Sequence, residues 1–416
     1  MKPIKALLLG AGNRGRYAFG QYARMNPTML QIAAVAEPDP VKRKFIQEEH
    51  NIPSQYVYED WKEAFVNFPP VSAVIIALQD DMHFDPILKA IKQNVHIICE
   101  KPIVPTLEEC RSIEKTAANF DKVFMIAHVL KYTPFFSRIK ELLSGGRIGK
   151  LIGIDLIENV GHIHISHSFV RGNWRKTPES APMILAKSCH DMDMLAWLAD
   201  SSCESLSSYG KLNYFKAENA PKDAPKRCLD GCLAVDTCPY HVAKIYLTSN
   251  TNWPVNVITT DLSMEGRLKA LNEGPYGRCV FHCDNNVVDH QTVLLNFANG
   301  VTANFTMSGF TMEIHRSITL FGTAGEITGD MESKKITIKD FISRNIETIS
   351  VGETTSGHSG GDAGFITDFV RMVHGMGGVG HNTLKNSFES HYMAFAAESS
   401  RLDNGKKINL SDIRSK

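Results

Sequence analysis

The stretch NVHIICEKPIVP, residues 94 to 105, sets Glu100, Lys101 and Pro102 side by side at the end of a β-rich apolar run. A lysine at the carboxyl end of a buried strand projects into the crevice where open α/β sheets bind ligands. Partial burial there lowers its pKa and lets it polarise a hydroxyl or carbonyl oxygen. The proline braces the turn, and the neighbouring carboxylate can orient the ammonium. A solvated ion pair is the commoner fate of such a dipeptide, and its place after VHIIC argues against that. A second set lies in KSCHDMDMLAWL, from residue 187. On a helix Lys187 and His190 are i and i+3, and Lys187 and Asp191 are i and i+4, so the three share one polar strip beside Ile184, Leu185, Met192, Leu195 and Leu198. A histidine with a near-neutral pKa accepts the proton when a secondary alcohol gives up hydride; a packed core histidine is the bland alternative.

A hydride needs an acceptor, and the sequence offers a cradle for one. Gly10, Gly12 and Gly15 form G-x-G-x-x-G directly after a strand and before a helix. In that context the first glycine permits a tight turn, the second lets backbone approach a pyrophosphate, and the third allows close helix–sheet packing. The helix N-terminus attracts the anion, with Asn13 and Arg14 as added donors. Glu37 ends the second strand, where a carboxylate accepts both ribose hydroxyls of NAD. Pro38 follows it rather than a basic residue, so NAD is expected in preference to NADP, with Arg43 the one contrary feature.

These residues need a scaffold. From residue 4 to about 130, short β-rich runs alternate with helix-length amphipathic ones, which predicts a doubly wound parallel sheet covered on both faces. Beyond residue 131 the texture becomes α+β: a helix near 181 to 199, then alternating strands joined by ANG and GTAG turns that suit antiparallel pairing. The reading is an α/β protein with an N-terminal Rossmann dinucleotide-binding domain (1–130) and a C-terminal α+β domain with an open, mainly antiparallel sheet (131–416), interrupted by an irregular insertion at about 215–260. Lys plus Arg equals Asp plus Glu at 45 each, so no global field recruits nucleic acid or an anionic membrane. No stretch approaches the roughly 20 apolar residues of a membrane helix. Nine cysteines, thinly spread behind a start that reads as a first strand rather than a signal peptide, predict reduced thiols in a cytoplasm.

Taken together, G-x-G-x-x-G, ALQDDMHFDPILKAIKQNVHIICEKP, KSCHDMDMLAWL and ITLFGTAGEI resemble the glucose-fructose oxidoreductase and inositol dehydrogenase family (Gfo/Idh/MocA) over nearly the whole chain. The resemblance implies a nicotinamide cofactor held between the two domains. Lys101 would be the catalytic lysine, and Glu100 and Pro102 would shape its turn. Gln79, His83, Glu100 and Lys101 would face the cofactor. His190 matches the family's catalytic histidine and Asp193 the acid after it. Many members carry an aspartate four residues before that histidine and a glycine two before it; this chain has Ala186 and Ser188, with Lys187 between.

Three further runs are peculiar to the chain. HIHISHSFVRGNWRK, 162 to 176, concentrates His164, His167, Arg171 and Trp174, donors and an aromatic platform suited to a sugar ring, or else alternating residues on an exposed strand face. YGRCVFHCDNNVVDHQ, 276 to 291, adds Tyr276 and Arg278 as substrate contacts. Cys228, Cys232, Cys238 and His241 could hold a structural zinc, although their spacing favours buried thiols or one labile disulfide. The function expected is an NAD-dependent oxidoreductase acting on a sugar, glycoside or polyol, as a homo-oligomer. The alternatives are a redox-neutral glycosidase or lyase working by transient oxidation and elimination, and a non-catalytic NAD and sugar sensor.

Overall fold

The computed structural model describes residues 2–177, 179–352, 357–378 and 384–414. Six strands, β1 (Ile4–Leu9), β2 (Leu30–Ala36), β3 (Val57–Tyr58), β4 (Ala73–Ile76), β5 (His96–Cys99) and β6 (Phe124–Ile126), form a wholly parallel sheet in the order β3-β2-β1-β4-β5-β6. The order reverses beside β1, which opens the ligand crevice at the carboxyl ends of β1 and β4. Leu7 and Leu9 face α2 (Phe84–Lys92) and α3 (Leu107–Ala117), while Ala6 and Leu8 face α1 (Pro40–His50). Asp39 starts α1 by accepting from the backbone N–H groups of Val41 and Lys42.

The second sheet has nine strands in the order β14-β13-β12-β11-β7-β10-β9-β8-β15. They are β7 (Leu151–Asn159), β8 (Cys203–Lys211), β9 (His290–Phe297), β10 (Thr302–Ser308), β11 (His315–Gly322), β12 (Gly325–Asp330), β13 (Lys335–Asp340), β14 (Ile346–Ser350) and β15 (Ile408–Asn409). Only β7 and β10 pair in parallel. Residues of α4 (Pro134–Ser144), α6 (Cys189–Ala199) and α8 (Leu384–Leu402) join one face of this sheet in a common core, while Ile152, Leu294 and Phe321 stand exposed on the other.

Three expectations change. The helix expected over 181–199 is two, α5 (Met183–Ala186) and α6, interrupted at Lys187 and Ser188. The insertion between β8 and β9 is longer than 215–260 and includes the run around Tyr276. The cover of the first sheet is not drawn only from the first 130 residues: Phe365, Ile366, Phe369 and Val370 of α7 (Gly361–Val373) pack with Ala6, Leu8 and Val35.

The glycine turn is sterically committed. Gly10 has φ +88°, and a Cβ on Gly15 would lie 2.0 Å from Gly10 O. Gly15→Ala is therefore expected to lower the Tm and to weaken dinucleotide binding by more than about tenfold, 1.4 kcal/mol. Calorimetric titration with NAD beside a thermal melt checks this, and unchanged affinity in the variant would contradict the packing argument.

Candidate active site

Lys101 leaves β5 with its Nζ donating to Ala186 O at 2.6 Å, across the boundary between the sheets. The break after α5 frees that carbonyl from helical pairing. The turn after Lys101 is held from two sides. His83, fully buried, donates from Nδ1 to Pro102 O at 2.9 Å, and its Nε2 lies 3.2 Å from Leu78 O. Ile103 N donates to His391 Nε2 at 2.8 Å, while His391 Nδ1 donates to Ser387 O at 2.7 Å. His83 is thus a clamp on the lysine turn rather than a cofactor contact.

The cradle fits a dinucleotide. A side chain added at Gly12 would meet nothing within 4 Å, so open space lies above the turn. Glu37 stands at the end of β2 with Oε2 accepting from Ala11 N at 2.6 Å and Oε1 from Asp39 N at 3.0 Å, which places its carboxylate at the rim of the glycine turn. Asn13 is exposed on the turn. Arg14 corrects the expectation of a phosphate donor: its Nε bonds Glu100 at 2.7 Å, and its two Nη atoms bond Asp362 at 2.9 and 2.8 Å. That bond ties Glu100, next in sequence to Lys101, to the glycine turn. Asp362 lies in the first turn of α7 and meets Arg14 there.

On the second domain, His164 and His167 do not alternate along a strand; they lie in a helical segment, His162–His164 continuing into the π-helical Ile165–Arg171. His167 stacks on Tyr276 with ring centroids 4.7 Å apart, and its Nδ1 is 2.9 Å from Tyr246 Oη. Trp253 sets its ring edge-on to His164 and His167 at 5.1 and 5.5 Å. Burial, with the charges of Lys187, Lys101 and Arg316 adding to it, holds His164 well below the ordinary histidine range. Lys101, Lys187 and His164 therefore share one neighbourhood. His190 follows on α6, its ring 5.7 Å from that of His128.

Other predicted contacts face elsewhere. Arg171 is fully buried, donating to Arg278 O and Tyr240 O at 2.7 Å each, so it supports the insertion. Arg278 pairs with Asp284 at 2.8 Å. Trp174 donates from Nε1 to Asp80 at 2.9 Å. Gln79 accepts from Asn173 at 3.4 Å. Asp191 is bound to Arg316 at 2.6 and 3.2 Å, and burial pushes its carboxyl up to about 6. Asp193 meets Lys131 at 2.7 Å and His128 at 3.3 Å; burial opposes its ionisation, but these two partners outweigh it and hold its pKa below the usual range. Among the described residues no group of three or more His, Cys, Asp or Glu is placed to hold a metal, and all nine cysteines are free. His241 spends its ring on Cys228 O and Ala243 N, and Cys228 is hydrogen-bonded to Cys279.

Sequence reasoning missed Asp80, Glu158, Arg316, His391 and Trp253. Asp80 is buried just beyond β4, where desolvation raises its pKa against the opposing influence of its neighbours His83 and Lys101. Glu158 and Arg316 carried a signal: each is a charged residue in phase with buried apolar neighbours, Leu156 on β7 and Ile318 on β11.

A parallel sheet with a dinucleotide cradle, faced across a cleft by an antiparallel domain that meets its strand-end lysine, defines a two-domain oxidoreductase architecture. Residues 4–128 match the oxidoreductase family with NAD-binding Rossmann fold, and residues 136–328 match the GFO/IDH/MocA C-terminal domain. The chain belongs to the Gfo/Idh/MocA family of oxidoreductases. It is 25% identical over 363 residues to the putative oxidoreductase YteT of Bacillus subtilis, covering 82% of each chain. It is 25% identical over 216 residues to 2,7-anhydro-N-acetylneuraminate hydratase of Mediterraneibacter gnavus, spanning 50% of this chain and 53% of that one. Levoglucosan dehydrogenase in complex with NADH and levoglucosan superposes with TM-score 0.72 at 15% identity, over 98% of this chain and 100% of the other.

The buried histidines make stability acid-sensitive. Burial drives His391 and His167 down to about 3, against about 6.5 in an unfolded chain. Their neutral state contributes fully above pH 6.5 and is lost as pH falls toward 3, at up to about 1.4 kcal/mol per pH unit for each group. Urea unfolding followed from pH 7 to 4 should show falling stability, with a shallower slope in His391→Gln. Equal slopes would remove His391 from this account.

Proposed function

We propose that the protein is an NAD-dependent oxidoreductase moving a hydride between a hydroxyl-bearing carbon of a sugar, glycoside or polyol and nicotinamide. The observation that carries this is Lys101, fixed by Ala186 O at the meeting of the two domains. Bound nicotinamide would supply the hydride acceptor. Gly10, Gly12, Gly15, Asn13 and Glu37 would hold the dinucleotide. Lys101 would bind the reacting oxygen: an ammonium has three donors, and one bond to a carbonyl sets its position without exhausting them. His190 and Lys187 are the titratable groups of the second domain proposed to take the proton. His164, His167, Tyr276 and Trp253 would pack against the ring of the substrate.

The preference for NAD over NADP is supported by Glu37, whose charge repels a 2′-phosphate. Arg43, the cation that could offset this, is occupied by Glu37 O at 2.6 Å, Pro38 O at 3.1 Å and Glu59 at 2.7 Å. A reducing, cytoplasmic location is supported by the nine free cysteines, and a homo-oligomer by the apolar side chains on the uncovered face of the second sheet. The similarity to an anhydro-sugar hydratase keeps a second reading in play, in which transient oxidation acidifies a neighbouring C–H, elimination follows, and the oxidation is reversed.

Purified protein incubated with NAD or NADP and a panel of sugars, glycosides, anhydro-sugars and polyols separates these readings, with nicotinamide absorbance and products by mass spectrometry followed together. Net oxidation accumulates NADH; the redox-neutral reaction releases product without it. Lys101→Ala should lose about 100-fold or more of turnover in either case. Full turnover in that variant would refute the assignment.

A further inference from the structure

We propose that Lys187 is the proton acceptor of this reaction, and that Glu158, Arg316 and Asp191 form the buried support that positions its amine and balances its charge. This rests on the reading that a substrate hydroxyl is oxidised. Lys187 lies at the interruption between α5 and α6, one residue past the carbonyl that holds Lys101. Its side chain is only 15% exposed, and its Nζ is 2.9 Å from Glu158 Oε1. The other oxygen of Glu158 meets Arg316 at 2.7 Å, and Arg316 reaches Asp191 at 2.6 Å. Glu158 and Arg316 are directly opposed across β7 and β11, so the sheet itself fixes the support.

The charge count favours proton uptake. With Lys187 neutral, two carboxylates face one guanidinium; once the amine is protonated, two cations face two anions. Burial lowers the amine's pKa from the ordinary lysine value and Arg316 adds to this, while Glu158 and Asp191 oppose it. Other charged or titratable groups of this neighbourhood are Lys101 from the β5 turn, His164 and His167 from the helical segment 162–171, and Cys189 of α6, whose thiol burial pushes up. His164 Nδ1 is enclosed without a hydrogen-bond partner, and with both histidines held well below neutrality they can hydrogen-bond a hydroxyl but are poor bases.

The step balances simply. The substrate O–H bond breaks and its proton forms an N–H bond with the Lys187 lone pair. The electron pair left on oxygen becomes the C=O π bond as the hydride leaves the same carbon for oxidised nicotinamide. The ammonium, held by Glu158, later returns its proton to water.

The test uses the full chain, NAD and the best substrate from the panel. Lys187→Arg keeps a cation for Glu158 but cannot act as a base at working pH. It should melt near wild type and lose about 100-fold or more of turnover. Lys187→Ala should regain activity with added primary alkylamines, in proportion to their basicity. Independently of turnover, reductive methylation read peptide by peptide against pH, without cofactor, should give Lys187 a midpoint at least one unit below that of Lys44, whose side chain is 72% exposed. Glu158→Gln should lower that midpoint further, because the carboxylate raises it. Turnover of Lys187→Arg within about threefold of wild type, absence of amine rescue, or a midpoint equal to that of Lys44 would each overturn the assignment. Wild-type protein that yields no product across the panel would instead strike the oxidation reading.

Discussion

The bond from Lys101 Nζ to Ala186 O is the constraint around which both domains are arranged. A continuous helix would engage Ala186 O in its own ladder, and the lysine would have no fixed partner across the cleft. The interruption at Lys187 and Ser188 turns this carbonyl into an acceptor for another domain. On its own side, the lysine is held by a turn that His83 and His391 clamp from opposite directions. Position is thus set by a backbone acceptor and two buried rings rather than by a carboxylate next in sequence.

The same economy governs the buried charges. Glu158, Arg316, Asp191 and Lys187 are expensive to desolvate singly, and a buried pair is weak evidence for stability in itself. What the set provides is registry: it ties β7, β11, α6 and the helix break to one another at the point where the second domain meets Lys101. Arg14 does the corresponding work on the first domain. It joins the glycine turn to Glu100 beside Lys101 and to Asp362 on α7, so the helix returning from the far end of the chain is keyed to the dinucleotide cradle.

Much of this was legible in the sequence wherever the signal is local. The glycine turn, the acid ending β2 and the lysine ending β5 follow from strand–helix alternation, because a parallel sheet places every strand's carboxyl end at one edge. The partners of Arg14 were not legible, being 86 and 348 residues away, and no local pattern couples positions so distant. Trp174 illustrates the other failure. Its aromatic character suggested a sugar platform; its N–H is spent on Asp80, and the exposed indole edge-on to His164 and His167 belongs to Trp253, in a stretch with no periodicity. The break in the 181–199 helix was hidden because Lys187 and Ser188 are tolerated in helices, and tertiary pairing decides against them there.

The insertion between β8 and β9 shows how an irregular segment can be tied together by side chains. Its helices are short, and its backbone polar groups need partners that a helix or sheet ladder would ordinarily provide. Arg171, fully buried, provides several at once: its guanidinium donates to Tyr240 O and Arg278 O from opposite halves of the insertion, and Arg278 returns a bond to Arg171 O at 3.0 Å. Because Arg171 ends the helical run 162–171 that carries His164 and His167, the insertion cannot shift without moving those rings. Tyr246, Trp253 and Tyr276 are consequently held against them at fixed distances. Arg171, expected to touch the substrate, thus spends its guanidinium on the backbone that holds these rings in place.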